Sequence, residues 1–277
     1  MIRTLALLSV LAFQAREAWA QKLEIVSPMF HQYEDSPPLR GEVSYFAGET
    51  VYFSGRVAGF KANAKDMVNV QWTAEVFDEA GVALVKAETK TVEEELAPED
   101  KDWKPKIVFQ FDTPPTALCA ACRVVVRAKD TIGQTEARLE TRFALRGRLV
   151  EPSPTLTIRN MRFLRTEEDG APLEPVVYKA GEELWGRFEI VGFKYGAGTQ
   201  LGVEYGLTVF RPSGKQLYQE PTAAAITDKD FYAKRYVSGI LNLRMQGLPA
   251  GEYTIVVEVR DKIGDQKYEG KYTFRIE

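Results

Sequence analysis

The sequence predicts an all-β protein made of two similar sandwiches in tandem, and three observations carry that prediction. The first is an internal repeat. Tyr45, the Ala47-Gly48-Glu49 turn and the run Val57-Ala58-Gly59-Phe60-Lys61 return 133 residues later as Tyr178, Ala180-Gly181-Glu182 and Ile190-Val191-Gly192-Phe193-Lys194. The offset holds for Val76-Phe77 against Val209-Phe210 and for Gly81 against Gly214. Near the ends it becomes 131, where Asp130-Thr131-Ile132-Gly133 matches Asp261-Lys262-Ile263-Gly264 and Phe143 matches Phe274. A period of this length describes whole domains rather than solenoid units, because each copy is long enough to bury its own core.

The second observation is the texture of each copy: short runs rich in Val, Ile, Phe, Tyr and Thr, broken by Gly, Pro, Asp and Asn, with no long stretch of helical period. Copy one places strands near 23–26, 50–60, 68–77, 83–91, 106–111, 123–129 and 134–145, and copy two near 156–163, 183–193, 201–210, 216–220, 239–245, 252–260 and 267–276. Seven strands in about 120 residues is the content of an immunoglobulin-like sandwich, so the expected fold is tandem immunoglobulin-like β-sandwich domains. The third observation is alternation. Ile255, Val257 and Val259 alternate with Thr254, Val256, Glu258 and Arg260, which gives a mostly apolar face and a more polar one, and Tyr272, Phe274 and Ile276 alternate with Lys271, Thr273 and Arg275.

In chain order, residues 1–20 read as a secretory leader. Arg3 supplies the positive region, Leu5 to Phe13 the apolar run and Ala18-Trp19-Ala20 the small-x-small cleavage site. The run is too short to span a bilayer, and no cysteine near the cleavage site offers a lipid anchor. A soluble exported product is expected, periplasmic or secreted, with the short leader favouring a bacterial periplasm. The chain carries a net charge of −3, and loss of a leader holding Arg3, Arg16 and Glu17 leaves −4. Mixed charges give no basic stripe, which argues against nucleic acid as a partner.

The first domain is expected over 21–146, a proline-stiffened linker over 147–155 and the second domain over 156–277. Acidic turns at Glu34-Asp35-Ser36-Pro37-Pro38-Leu39 and Glu168-Asp169-Gly170-Ala171-Pro172-Leu173 occupy matched places. Solvation of an exposed turn explains them more simply than calcium binding, since neither has the ligand count of a defined calcium motif. Gly133 and Gly264, in matched hairpins, are expected to adopt positive φ. Tyr52 and Trp185, and Trp72 and Tyr205, recur at matched strand positions and read as packing residues rather than ligand contacts.

Chemistry-bearing residues are few. Cys119 and Cys122 are the only cysteines, in a C-x-x-C spacing that copy two replaces with Leu248-Pro249-Ala250-Gly251-Glu252 in a hairpin-like connection. A structural disulfide pinning that turn after export is the main reading, and a redox pair or incidental thiols are the alternatives. Half a zinc site lacks a second ligand pair, because His31 is the only histidine. His31 itself reads as a surface-turn residue. There is no G-x-S-x-G, H-E-x-x-H or P-loop motif, and a Ser-His-Asp triad would have to use His31. The expectation is a protein that is not an enzyme and needs no cofactor or metal; an unrecognised carboxylate hydrolase stays as an alternative.

Two connections, 89–105 and 220–238, differ between the copies while the strands around them match, as expected where a shared scaffold carries separate contacts. They supply the expected binding surface: Trp103 in the first, and Asp228, Asp230, Phe231, Tyr232, Arg235 and Tyr236 in the second. The competing reading, given equal weight, is that Trp103, Phe231 and Tyr236 cover the open edge of a sandwich core.

The Ala-Gly-Glu turn, the Val-Phe-x-x-x-Gly hairpin and the segment Leu248-Pro249-Ala250-Gly251-Glu252-Tyr253-Thr254-Ile255, followed by Asp261-x-x-Gly264, resemble extracellular macroglobulin-type and related bacterial immunoglobulin-like domains. The resemblance covers most of each copy. Copy one departs from it at Cys119 and Cys122, and no thioester-type Cys-x-x-Gln is present, so reactive-bait chemistry is not implied. It implies a module of cell-envelope assembly or surface architecture. The expected function is an exported, non-catalytic binding or structural module whose partner is another extracytoplasmic protein, with a carbohydrate-binding accessory module as the alternative.

Overall fold

A computed structural model describes residues 22–168 and 170–277. The leader expected at 1–20 and Asp169 of the second acidic turn lie outside the described residues. The first copy forms β1 (Glu24–His31), β2 (Ser44–Phe46), β3 (Thr50–Ala58), β4 (Met67–Phe77), β5 (Glu88–Glu95), β6 (Lys106–Asp112), β7 (Cys119–Asp130) and β8 (Thr135–Arg146). The second forms β9 (Thr157–Leu164), β10 (Val177–Tyr178), β11 (Glu183–Val191), β12 (Gln200–Phe210), β13 (Gln216–Lys229), β14 (Val237–Arg244), β15 (Gly251–Asp261) and β16 (Gln266–Ile276).

Sheet order repeats with the sequence. A three-stranded sheet β1-β3-β6 and a five-stranded sheet β2-β8-β7-β4-β5 return as β9-β11-β14 and β10-β16-β15-β12-β13. Pairing is antiparallel except for the short parallel pairs β2–β8 and β10–β16. The architecture is all-β and multi-sheet, a generic β-sandwich arrangement. Val51, Phe53, Val57, Ile107 and Phe109 from one sheet meet Val70, Trp72, Val76, Val124 and Val126 from the other in one core, and the matched strands build a second. On β15 the apolar alternants Tyr253, Ile255, Val257 and Val259 are fully buried, as their period demands. No helix among the described residues is long and apolar enough to cross a membrane.

Matched residues do matched work. The buried phenols of Tyr45 and Tyr178 donate to the carbonyls of His31 and Leu164, each at 2.8 Å. Burial pushes the Tyr45 hydroxyl up to about 12 and raises that of Tyr178 as well. Gly59 and Gly192 hold φ of +78° and +77°, and a Cβ there would lie 2.2 Å from the Lys22 carbonyl oxygen and 2.0 Å from that of Thr155. Both positions are therefore closed to any larger residue.

The hairpin glycines differ from expectation. Positive φ falls on Gln134 and Asp265, the residues that follow them. Gly133 and Gly264 are required by close approach: a Cβ would come 2.3 Å from Asp130 Oδ2 and 2.4 Å from Asp261 Oδ2. Those two buried aspartates organise the hairpins. Asp130 Oδ1 accepts the N–H groups of Ile132 and Gly133, and its Oδ2 accepts that of Lys61. Asp261 repeats this with Ile263, Gly264 and Lys194, and adds the Gln266 side chain. Burial works to raise the Asp261 carboxyl, but these bonds outweigh it and hold the group below the ordinary aspartate value.

Three further expectations are corrected. His31 ends β1 and is half-buried; its Nδ1–H donates to the Ser36 carbonyl at 2.7 Å, so Nε2 accepts from the Ser54 hydroxyl at 2.8 Å. It is a strand-end tie rather than a surface-turn residue. Cys119 and Cys122 are joined in a disulfide inside β7, at a bulge against β8, rather than in a hairpin connection. The stretches 89–105 and 220–238, expected as loops, both begin as edge strand, since β5 and β13 continue to Glu95 and Lys229. Polar composition hid them: an edge strand needs a partner on only one side and tolerates charge.

Arg148, in the stretch expected as a linker, pairs with the buried Glu189 on β11, and Arg162 Nη2 approaches the same carboxylate at 3.9 Å. This contact pins the connection to the second copy.

Candidate functional site

The residues expected to bind do not form one surface. Trp103 follows a short 3-10 turn at Asp100–Asp102 and packs half-buried against the first core, its ring edge-to-face with Phe60 at 5.8 Å. Cys119 and Cys122 are buried in that same core. The remaining residues cluster at the end of β13 and on the connection from it to β14, which reaches from the second copy to the first.

Local chemistry shapes that connection. Lys234 Nζ pairs with the carboxylates of both Asp228 and Asp230, the latter at 3.2 Å, which curls the segment upon itself. Burial lowers the Lys234 ammonium, but the two carboxylates outweigh it and its pKa lies above the ordinary lysine value. The Lys234 hydrogen bond, helped by the Lys229 N–H, holds the Asp228 carboxyl below its ordinary value. Tyr195 Oη donates to the Lys234 carbonyl and Thr199 Oγ1 to the Asp230 carbonyl, which clamps the segment to its own copy.

From this clamp Tyr232 projects into the apolar core of the first copy, where only 6 % of its surface stays exposed. Its hydroxyl donates to Asp78 Oδ2 at 3.1 Å and accepts from Arg235 Nη2 at 3.2 Å. The Arg235 backbone N–H adds a bond to Thr116 Oγ1 at 3.3 Å. Asp78 is itself buried, and its Oδ1 accepts the Val82 N–H at 2.8 Å. Burial is the main reason the Tyr232 hydroxyl titrates above the ordinary tyrosine value. An aromatic ring and a charged hydrogen bond thus join the copies.

Phe231 stays open to solvent. It is 51 % exposed and borders a cleft of ≈ 550 Å³ whose walls include Leu84, Phe109, Phe111 and Pro115 from the first copy and Tyr232 from the second. Lys86, Glu88, Asp230 and Lys234 add charge around it. Tyr236 is half-buried beyond the segment. An exposed aromatic beside a desolvated apolar wall with charges around it is suited to gripping an apolar side chain of a macromolecule.

Asp78, Leu84, Phe109 and Phe111 were not among the residues singled out from sequence. Asp78 carried a signal, because copy two places Arg211 at the matched position in an otherwise shared hairpin. Leu84 and the two phenylalanines carried none, since their apolar character already served the core. Among the described residues no group of three or more His, Cys, Asp or Glu side chains is placed to hold a metal ion. No protein-family model matches the chain, and no curated protein matches it either.

Proposed function

We propose that this chain is an exported, non-catalytic binding or structural protein of the bacterial cell envelope, periplasmic or secreted, and that its partner is another extracytoplasmic protein. In this reading residues 21–146 and 156–277 are tandem immunoglobulin-like domains of macroglobulin type joined by 147–155. The repeated sheet order, the two apolar cores and the matched Asp130 and Asp261 hairpins support that division. The observation that carries the functional reading is the position of Phe231. The neighbouring Tyr232 is buried in the first copy's core, which fixes the segment, while Phe231 stays open at the jointly built cleft. A preorganised aromatic loses little entropy when a partner covers it.

The carbohydrate alternative relied on a flat exposed platform at Trp103 or at Phe231 and Tyr232. Trp103 and Tyr232 are both taken up by packing, which favours the protein reading. Affinity purification from the native envelope, comparing the wild type with Phe231→Ala, tests it. The expected result is a protein that co-purifies at high salt with the wild type and is depleted at least tenfold with the variant. Glycan-array binding lost in the same variant, with no co-purifying protein, would overturn it.

A further inference from the structure

The outer face of the sheet β9-β11-β14 carries arginines that its sister sheet lacks. Arg162 stands directly opposite Arg187, and Arg159 directly opposite Glu189. At the same places copy one has Met29 opposite Ser54 and Val26 opposite Arg56, so three uncharged positions of one copy are arginine in the other. Arg159 and Arg162 are three residues apart and would face opposite sides of a regular strand. A bulge between them, with Asn160 at a φ of +49°, turns both to the face that carries Arg187 and Glu189. Arg148, on the connection between the copies, brings a fourth guanidinium to Glu189.

Charge is unbalanced in this cluster. Glu189 Oε1 takes Arg148 and, at 3.9 Å, Arg162. Arg187 donates to the Glu167 carbonyl alone, and Arg159 makes no hydrogen bond or ion pair among the described residues. The Nε atoms of Arg159 and Arg187 are buried without a partner. Like charges directly opposite one another destabilise a sheet, and a buried donor without an acceptor costs the full loss of its hydration. An anion seated between the guanidinium groups removes both penalties.

Glu189 narrows the kind of anion. It is 1 % exposed, and its Oε2 has no hydrogen-bond partner. A bare carboxylate oxygen repels a fully ionised anion and accepts a hydrogen bond from a protonated one. Inorganic phosphate keeps a proton at neutral pH and sulfate does not, although both present the paired oxygens that guanidinium forks bind.

We propose that Arg159, Arg162, Arg187 and Glu189 form a binding site for a phosphate group that carries a proton. The guanidinium groups hold its oxygens, and its P–OH donates to Glu189 Oε2. Arg148, its side chain 39 % exposed against 1 % for Glu189, covers the carboxylate from the solvent side and shifts onto the bound anion. The site belongs to the second copy and is separate from the cleft beside Phe231, so either can fail without the other.

The full chain is titrated by calorimetry with inorganic phosphate, sulfate and glycerol phosphate at constant ionic strength. Phosphate is expected to saturate one site, with sulfate at least tenfold weaker. Glycerol phosphate distinguishes the sources: affinity equal to that of inorganic phosphate assigns the site to a terminal phosphomonoester of a larger molecule, and weaker binding assigns it to free phosphate. Arg159→Gln removes a side chain with no bond of its own to lose, so it should weaken phosphate at least tenfold while thermal unfolding without phosphate is unchanged or raised. Glu189→Gln, whose amide can donate as well as accept, should bring the phosphate and sulfate affinities together; should it fail to fold, the wild-type preference and Arg159→Gln decide alone. No saturable phosphate binding, equal affinity of the wild type for phosphate and sulfate, or undiminished binding by Arg159→Gln would each overturn the proposal.

Discussion

Replacing Tyr232 with alanine tests whether the second copy contributes to the core of the first. The ring is 6 % exposed and belongs to that core, so its removal has the character of a large-to-small core substitution, which costs about 3–5 kcal/mol. The change also takes one donor from Asp78, a buried carboxylate that keeps the Val82 N–H, and the lost bond adds about 1–2 kcal/mol. The expected total is about 4–7 kcal/mol. Tyr232→Phe keeps the ring and isolates the hydroxyl, with an expected cost of about 1–2 kcal/mol. Phe231→Ala, one residue away and half exposed, is the control and should cost less than about 1 kcal/mol. Urea unfolding followed by circular dichroism and tyrosine fluorescence measures all three. If the copies unfold separately, the loss should fall on the transition of the first copy, although the substitution lies in the second. A Tyr232→Ala cost below about 1 kcal/mol, equal to that of Phe231→Ala, would refute the reasoning.

Other outcomes follow from the same geometry. Asp261→Ala removes a buried carboxylate that accepts four hydrogen bonds and should cost about 3 kcal/mol or more by thermal or chemical unfolding. Because the folded Asp261 carboxyl titrates below its unfolded value, its contribution is present above the unfolded value near 3.8 and is lost as pH falls through the folded one; acid unfolding should show this loss, and Asp261→Asn should weaken it. Gly264→Val drives a side chain into Asp261 and Lys194 and should destabilise by about 2 kcal/mol or more through that clash, so pairing it with Asp261→Ala should give less than additive loss. The buried Tyr45, raised from 10.0 to about 12, favours the protonated folded state: its contribution is complete below pH 10 and falls as pH rises towards 12, so tyrosinate absorbance should appear together with unfolding. Reduction of the Cys119–Cys122 disulfide, which closes a sequence separation of only 3, should cost no more than about 2 kcal/mol.

The all-β class and the repeat were legible because period-two alternation and matched turns are local properties. The β15 alternants and the Ala-Gly-Glu turns lie where their pattern places them. Edge strands were harder. The run Thr89 to Glu95 carries three consecutive glutamates and Thr222 to Thr227 three alanines, and neither has the apolar face by which a strand is recognised. The short β2 and β10 gave too few residues for a pattern, although Tyr45 and Tyr178 at their positions marked the repeat. At the candidate site the segment 228–236 was visible as a place where the copies differ. Its burial against Asp78 was not, because a contact across 154 residues leaves no trace in local spacing. Of the aromatics in question Trp103 packs against the first core and Phe231 stays exposed, while the adjacent Tyr232 is buried in the core of the other copy.

The central claim is that Phe231 and the cleft beside it grip a partner protein. A photo-crosslinking amino acid introduced at position 231 of the full-length chain, expressed in the native cell, tests this most directly. The account predicts one dominant adduct with an extracytoplasmic protein, absent when the same group is placed at the exposed Tyr33. Equal, diffuse labelling at both positions, or no protein adduct at 231, would contradict it.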